Sequence, residues 1–272
     1  MFLGPGSRAQ RQRLYPGTGC GRLVFTSSTL LTYQPYNGDQ IQWNGKWVTI
    51  PASGWGLTNV GLLSSIDHFY VYYNGNTIEA STAAHSASVN PDNIGVEIRT
   101  GDDSRSLVGM FTMTTSTGFA DNPFSRFTRT WFNDHGVQLT VGASATFSVT
   151  TAAMSEVSAA LELQVVTWNG ELISDEQLGL VVLSSGLNMW GASRDGSFIA
   201  FDTVVQQTAP TGAGSTSMYN SNIITETSEG FHNFTVIART SAGTLNFVGG
   251  VAPVSSTPNG RFLHRVTTYG RP

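Results

Sequence analysis

The stretch "IQWNGKWVTI", residues 41 to 50, decides the fold class. Apolar and polar residues alternate up to Asn44-Gly45 and alternate again beyond it. A two-residue hairpin turn of type I′ needs positive φ at both central positions, which Asn tolerates and Gly accepts freely, so this stretch predicts a β-hairpin. Trp43 and Trp47 are then expected close together across the turn. Asn-Gly recurs at 37-38, 74-75, 169-170 and 259-260, each time near alternating residues. The repetition predicts a chain built from hairpins.

Working outward, the length of 272 residues suits two ordinary domains or one large β domain and allows a sizeable core without staples. Charged residues make up 12%, about half the roughly 25% usual for soluble domains. Gly, Ser and Thr are abundant, so the surface is expected to be hydroxyl-rich and weakly charged. The net charge of −4 and pI near 5.7 speak against nucleic acid as a partner. The longest apolar runs, such as "LGLVVL" at 178 to 183, fall well below the roughly 20 residues of a membrane helix. Cys20 stands alone, which excludes an intrachain disulfide and a cysteine-based metal cluster. "MFLGPGSRAQ" lacks the charged and apolar regions of a signal peptide, so synthesis and assembly in a cytoplasm are expected.

Residues 1–22 differ from the rest. They hold Arg8, Arg11, Arg13 and Arg22 and no acid, while the remaining 250 residues carry a net −8. Pro and Gly oppose regular structure in this arm, and it has too few apolar residues for a core. It is either a disordered tail or an extended arm ordered by a partner. Residues 23–140 alternate as strands throughout, and near 141 the pattern restarts with "VQLTVGASATFSVTT". Within "TTAAMSEVSAALELQVVTWNG", residues 151 to 160 suit a helical turn, whereas Leu161, Leu163 and Val165 alternate as in a strand before Trp168-Asn169-Gly170, read as the turn of a hairpin. Short strands separated by Gly, Asn and Pro at intervals of roughly ten residues predict an all-β chain. The expected domains are the arm 1–22, a β-rich domain 23–140 and a second domain 141–272, both of β-sandwich or jelly-roll type.

Candidate chemistry is sparse. Asp102 and Asp103, with Glu97 and Arg105, form the densest charge cluster. Adjacent strand residues point to opposite faces, so these carboxylates would not act as a pair on a strand. A turn in which they accept from backbone N–H groups is the expectation. His68, His85, His135, His232 and His264 lack the spacing that brings two imidazoles to one metal. No Gly-x-Ser-x-Gly elbow, Walker loop or dinucleotide fingerprint occurs. The chain is therefore expected to be no enzyme, with neither cofactor nor metal. Aromatic residues concentrate in the first half, and Trp43, Trp47, Trp55 and Tyr72 are candidates for contact with a glycan or another partner, although cross-strand aromatic pairs also stabilise hairpins.

The run "YYNGNTIEASTAAHSASVNPDNIGVEIRTGDDSRSLVGMFTMTTSTGFADNPFSRFTRTWFN" resembles a segment of virion proteins of tailed bacteriophages, of the tail-fibre or minor structural type. The marks are "YVYYNG" before "IEAS", the block "GVEIRTGDDSRSLVGM" and "RF…WFN", and the resemblance covers residues 30–135. It implies a fibre or spike component of a virion, self-associating as a homotrimer, anchored to capsid, portal or tail proteins through the arm and touching host surface glycans. A capsid decoration or head-fibre protein shares these features, and a polysaccharide depolymerase is the enzymatic alternative.

Overall fold

The computed structural model describes residues 20–59, 68–113, 118–122, 124–143, 145–198, 205–209, 215–249 and 262–269. The chain is all-β, as its alternation predicts. In chain order the first strands are β1 (Gly21–Ser27), β2 (Leu30–Pro35), β3 (Gln40–Trp43), β4 (Lys46–Thr49), β5 (Trp55–Thr58), β6 (His68–Tyr73) and β7 (Ile78–Ser81). Next come β8 (His85–Ala87), β9 (Glu97–Arg99), β10 (Asp102–Thr112), β11 (Asp121–Asn122), β12 (Ser125–Arg126) and β13 (Thr128–Thr130). The remainder are β14 (Val137–Gly142), β15 (Phe147–Val149), β16 (Ser155–Glu156), β17 (Leu163–Thr167), β18 (Glu171–Arg194), β19 (Ser197–Phe198), β20 (Val205–Ala209), β21 (Ser215–Thr227), β22 (Gly230–Phe247) and β23 (Leu263–Thr268). Two compact units result: described residues up to Asp121 with Phe127–His135 form one, and Asn122–Arg126 with the described residues from Gly136 onward form the other.

In the first unit, β1-β2-β5 make a three-stranded sheet and β7-β6-β10-β9-β8 a larger one, with β13 added to β10. Their facing residues share a single core. Leu23, Leu31, Tyr33 and Leu57 come from one sheet, and Phe69, Val71, Tyr73, Ile78, Val108 and Phe111 from the other. Each such buried Leu, Val or Phe stabilises by about 1.5 to 3 kcal/mol. Strand β10 is central and buried on both faces from Ser106 onward, which is why "LVGMF" within it, residues 107 to 111, reads as a run without polar side chains.

The hairpin of residues 41 to 50 forms as its turn chemistry dictates. Trp43 pairs with Lys46 across two residues, and Asn44 and Gly45 take φ of 46° and 75°. Asn74-Gly75 also closes a hairpin, between β6 and β7, with a four-residue loop. The other Asn-Gly pairs behave differently. Asn37-Gly38 joins β2 to β3, which pair with other strands. Asn169-Gly170 follows β17, whose partners are β12 and β22, and precedes β18, so the expected hairpin there is absent. Glu171 Oε2 accepts from Trp168 N–H, fixing a turn that carries the chain to a different strand pair. Asn259-Gly260 lies outside the described residues. In the alanine-rich piece the helical element shrinks to a 3₁₀ turn, Ala159–Leu161, capped by Ser158, and β17 follows as the alternation predicts.

The second unit wraps one continuous sheet, β11-β12-β17-β22-β18-β23-β14, around a core that joins Leu139 of β14 to Leu163 and Val165 of β17. Strand β12 runs parallel to β17, whereas β22 pairs antiparallel with β15, β16, β17 and β18. Strand β18 runs 24 residues and β22 runs 18, beyond the usual 3 to 10. Each changes its inward parity midway. On β18, Ile173, Val181 and Leu183 face the core before the bend, and Trp190 and Ala192 after it. On β22, Phe234, Val236 and Ala238 give way to Leu245 and Phe247. The register shift between Leu183 and Asn188, with Gly186 at φ 77° and Gly243 at φ 72°, supplies the extra residue that a bulge needs to flip the faces.

Candidate functional site

Of the aromatic candidates, only Trp47 offers its ring to solvent, at 53% exposure. The two-residue turn sets Trp43 opposite Lys46 and Trp47 opposite Gln42. Trp43 and Trp47 therefore lie on opposite faces of the hairpin rather than together, because their sequence positions have opposite parity about the turn. Trp43 donates from Nε1 to the Ser104 carbonyl at 3.0 Å and meets Tyr73 edge-on. Trp55 stacks on Tyr73 with centroids 4.3 Å apart. Tyr72 is fully buried and donates to the Ala83 carbonyl at 2.7 Å, so its ring belongs to the core rather than to a contact surface. Arg22 lies within β1, where its guanidinium stands 5.2 Å from the Tyr36 ring. Arg8, Arg11 and Arg13 lie outside the described residues.

The charged block of the first unit is consumed in cross-strand bonding. The turn precedes the aspartates, at Thr100-Gly101, and Asp102 and Asp103 open β10. Asp102 keeps part of the expected role: its Oδ1 accepts from the Ser104 N–H and hydroxyl, and its Oδ2 from Arg99. Those hydroxyl and N–H donors, then Arg99, hold its carboxyl below the usual carboxylate range against the opposing effect of burial. Asp103 turns instead to Ser88 and Asn93. Arg105 pairs with Glu79, His85 with Glu97 at 2.7 Å, and the buried Arg129 with Asp134 at 2.7 Å. The histidines stay scattered, and no group of metal-binding side chains occurs among the described residues.

A groove of about 560 Å³ opens in the second unit. Three separate segments bring carboxylates to it: Glu156 from β16, Glu162 ahead of β17 and Asp195 from the β18–β19 turn. Asp195-Gly196 forms that turn with φ of 53° and 78°, the backbone that Asp-Gly favours between paired strands. Asp195 accepts from the Asn233 N–H at 2.9 Å and stands 2.6 Å from His232 Nδ1. Burial pushes the Asp195 carboxyl up, and His232 and the Asn233 N–H outweigh it, leaving the pKa lowered. Burial and the neighbouring Glu162 raise Glu156 instead. Two carboxyl groups with opposite proton affinities thus share one groove, with Ser197 and Thr235 beside them. The Asp195-Gly196 dipeptide was a readable signal in the sequence. Nothing in the sequence pattern links Glu156 or Glu162 to it, since only the long-range pairing of β16, β17 and β22 brings them near.

One buried ionisable pair lies inside the same unit. His264 Nδ1 faces the Leu161 carbonyl at 2.7 Å and Nε2 faces Asp175 at 3.2 Å, both side chains being inaccessible. A carbonyl only accepts, so Nδ1 must donate. Burial lowers the imidazole pKa, and Asp175 with the Leu161 carbonyl more than reverses it, leaving it raised.

No protein-family profile matches the sequence, and no curated protein does. Among solved structures, that of infectious bursal disease virus strain Gx aligns with 95% of this chain and 78% of its own, at 15% identity and a TM-score of 0.25. The VP2 subviral particle protein of the same virus aligns over 93% and 77%, at 13% identity and a TM-score of 0.27. A β-glucosidase from Paenibacillus barengoltzii aligns over 45% of this chain and 10% of its own, at 11% identity and a TM-score of 0.21. These likenesses are distant and assign no family.

Proposed function

We propose that this chain is a non-enzymatic structural component of a virus particle, of the bacteriophage fibre or spike kind, assembled in the host cytoplasm. The observation that carries the reading is the fate of the "GVEIRTGDDSRSLVGM" block. Its charged residues are spent on neighbouring strands, Arg99 on Asp102, Arg105 on Glu79 and Glu97 on His85, so the block serves to hold a sheet together. The weakly charged, hydroxyl-rich composition supports the same role. In this reading the Arg-bearing arm anchors the chain to other virion proteins, the body self-associates, and Trp47 is the aromatic residue placed for a host glycan. The arm is tested by deleting residues 1–19, which leaves β1 and the backbone bonds of Cys20 whole. The shortened chain is expected to fold and to be missing from purified particles, and normal incorporation would remove the anchoring role. A capsid decoration protein would share all of this, and copy number separates the two: a few to a few dozen for a fibre, many more for a lattice-bound decoration.

The groove favours one second reading, a polysaccharide depolymerase. Glu156, with raised proton affinity, would serve as acid, and Asp195, held ionised, as its partner. Incubation with host polysaccharide decides it: new reducing ends that disappear with Glu156→Gln would establish the enzyme, and their absence would leave the structural reading standing.

A further inference from the structure

Strand β18 carries polar side chains into the core of the second unit. Asp175 and Gln177 lie two apart on the strand and share a face with Ile173, Val181 and Leu183, which belong to that core. Asp175 is inaccessible and Gln177 is 1% exposed. On the neighbouring β23, the equally inaccessible His264 is the register partner of Gln177, and Val266 that of Asp175. Phe262 and Val266, on either side of His264 along the same face, and Leu161, whose carbonyl His264 bonds, are core residues without exposure. Asp175, Gln177 and His264 thus form a polar cluster among apolar neighbours.

The hydrogen bonds of this cluster do not close within it. His264 spends both ring nitrogens, on the Leu161 carbonyl and on Asp175 Oδ2. Among the described residues, Asp175 Oδ1 has no hydrogen-bond partner, and neither Gln177 Oε1 nor Gln177 Nε2 has one. A carboxylate oxygen and an amide oxygen accept, and an amide nitrogen donates. Native interiors leave few such atoms unpaired and satisfy many of them with enclosed water. Water suits this set, since its hydrogens serve the acceptors and its oxygen takes the amide N–H. A cation suits it poorly. Against the effect of burial, Asp175 and the Leu161 carbonyl hold the imidazole proton in place, so the carboxylate already has its counter-charge. Gly179, next along the inner face of β18, sets no side chain beside Gln177 and leaves room there.

We propose that the second unit holds an internal water site between Asp175 and Gln177, in which a water donates one hydrogen to Asp175 Oδ1 and bonds the Gln177 amide. The water adds hydrogen bonds and no charge, so His264 remains the counter-charge of the carboxylate. Enclosed by inaccessible side chains, it exchanges with solvent only when the unit opens, and its residence is therefore long. The inference stands apart from the virion reading, since the site belongs to the core of the unit whatever the chain attaches to.

Magnetic relaxation dispersion of water oxygen, measured on the full chain in solution, tests it, because only water held longer than the tumbling time of the molecule contributes. The comparison is with Gln177→Leu, which removes the amide and keeps apolar bulk. The variant is expected to lose the contribution of at least one long-lived water per chain, and an equal contribution from both proteins would overturn the proposal. A crystal structure of the unaltered chain gives a second measurement that does not depend on the variant folding. It is expected to show a solvent peak about 2.8 Å from Asp175 Oδ1 and at a similar distance from the Gln177 amide. No peak there, direct protein bonds to both groups, or a metal ion confirmed by elemental analysis would overturn it.

Discussion

His264 shows how much one buried side chain can carry. Its two ring nitrogens face the Leu161 carbonyl and the Asp175 carboxylate, tying β23 to the 3₁₀ turn and to β18. Because its folded pKa is raised, its contribution to stability is fully present below the unfolded value, near pH 6.5, and is lost as pH rises through the folded value. Thermal melts from about pH 6 to about pH 10 should therefore show falling stability that His264→Leu no longer reports. That substitution leaves the Asp175 carboxylate buried without a partner and should cost about 3 to 5 kcal/mol in urea unfolding. Replacing both residues with Leu should recover most of the loss. Neither partner announced itself in the sequence, because 89 positions separate them and only the β18–β23 register brings them close. The sequence likewise suggested two tryptophans side by side, where parity about the turn packs a half-buried Trp43 against the core and puts Trp47 in solvent.

Elements were legible where a turn and its strands are neighbours in sequence. Asn44-Gly45 specifies both the reversal and the pairing, so the β3–β4 hairpin could be read directly. At Asn169-Gly170 the same dipeptide specifies only the reversal: Thr167 pairs with Gly230 and Glu171 with Thr227, partners that the turn does not name. Strands β18 and β22 were harder still, since the bulge that changes their parity looks in sequence like the end of one strand and the start of another. That bulge makes a test. A methyl group on Gly186 would lie 2.8 Å from the Ala242 nitrogen, and φ there is 77°. Gly186→Ala should destabilise by more than about 1 kcal/mol, read from the denaturant midpoint at unchanged slope. Gly45→Ala should do the same to the first unit, where the added carbon would approach the Asp92 carbonyl to 2.9 Å at φ 75°.

For the whole molecule, alternation and turn spacing indicated an all-β chain and composition its low charge, and two units with separate cores are present. The candidate groove was not legible, because Glu156, Glu162 and Asp195 become neighbours only through strand pairings across the second unit. The structural reading predicts that purified chain leaves host polysaccharide intact and that its charged block matters for stability. Glu79→Gln, which removes the carboxylate shared by Arg99 and Arg105, should lower the melting temperature while leaving self-association unchanged. The most direct test of the proposed role is quantitative mass spectrometry of gradient-purified particles recovered from the source of this chain. A fixed copy number per particle, retained through the gradient, is the predicted result, and a chain found only in the soluble lysate would contradict the account.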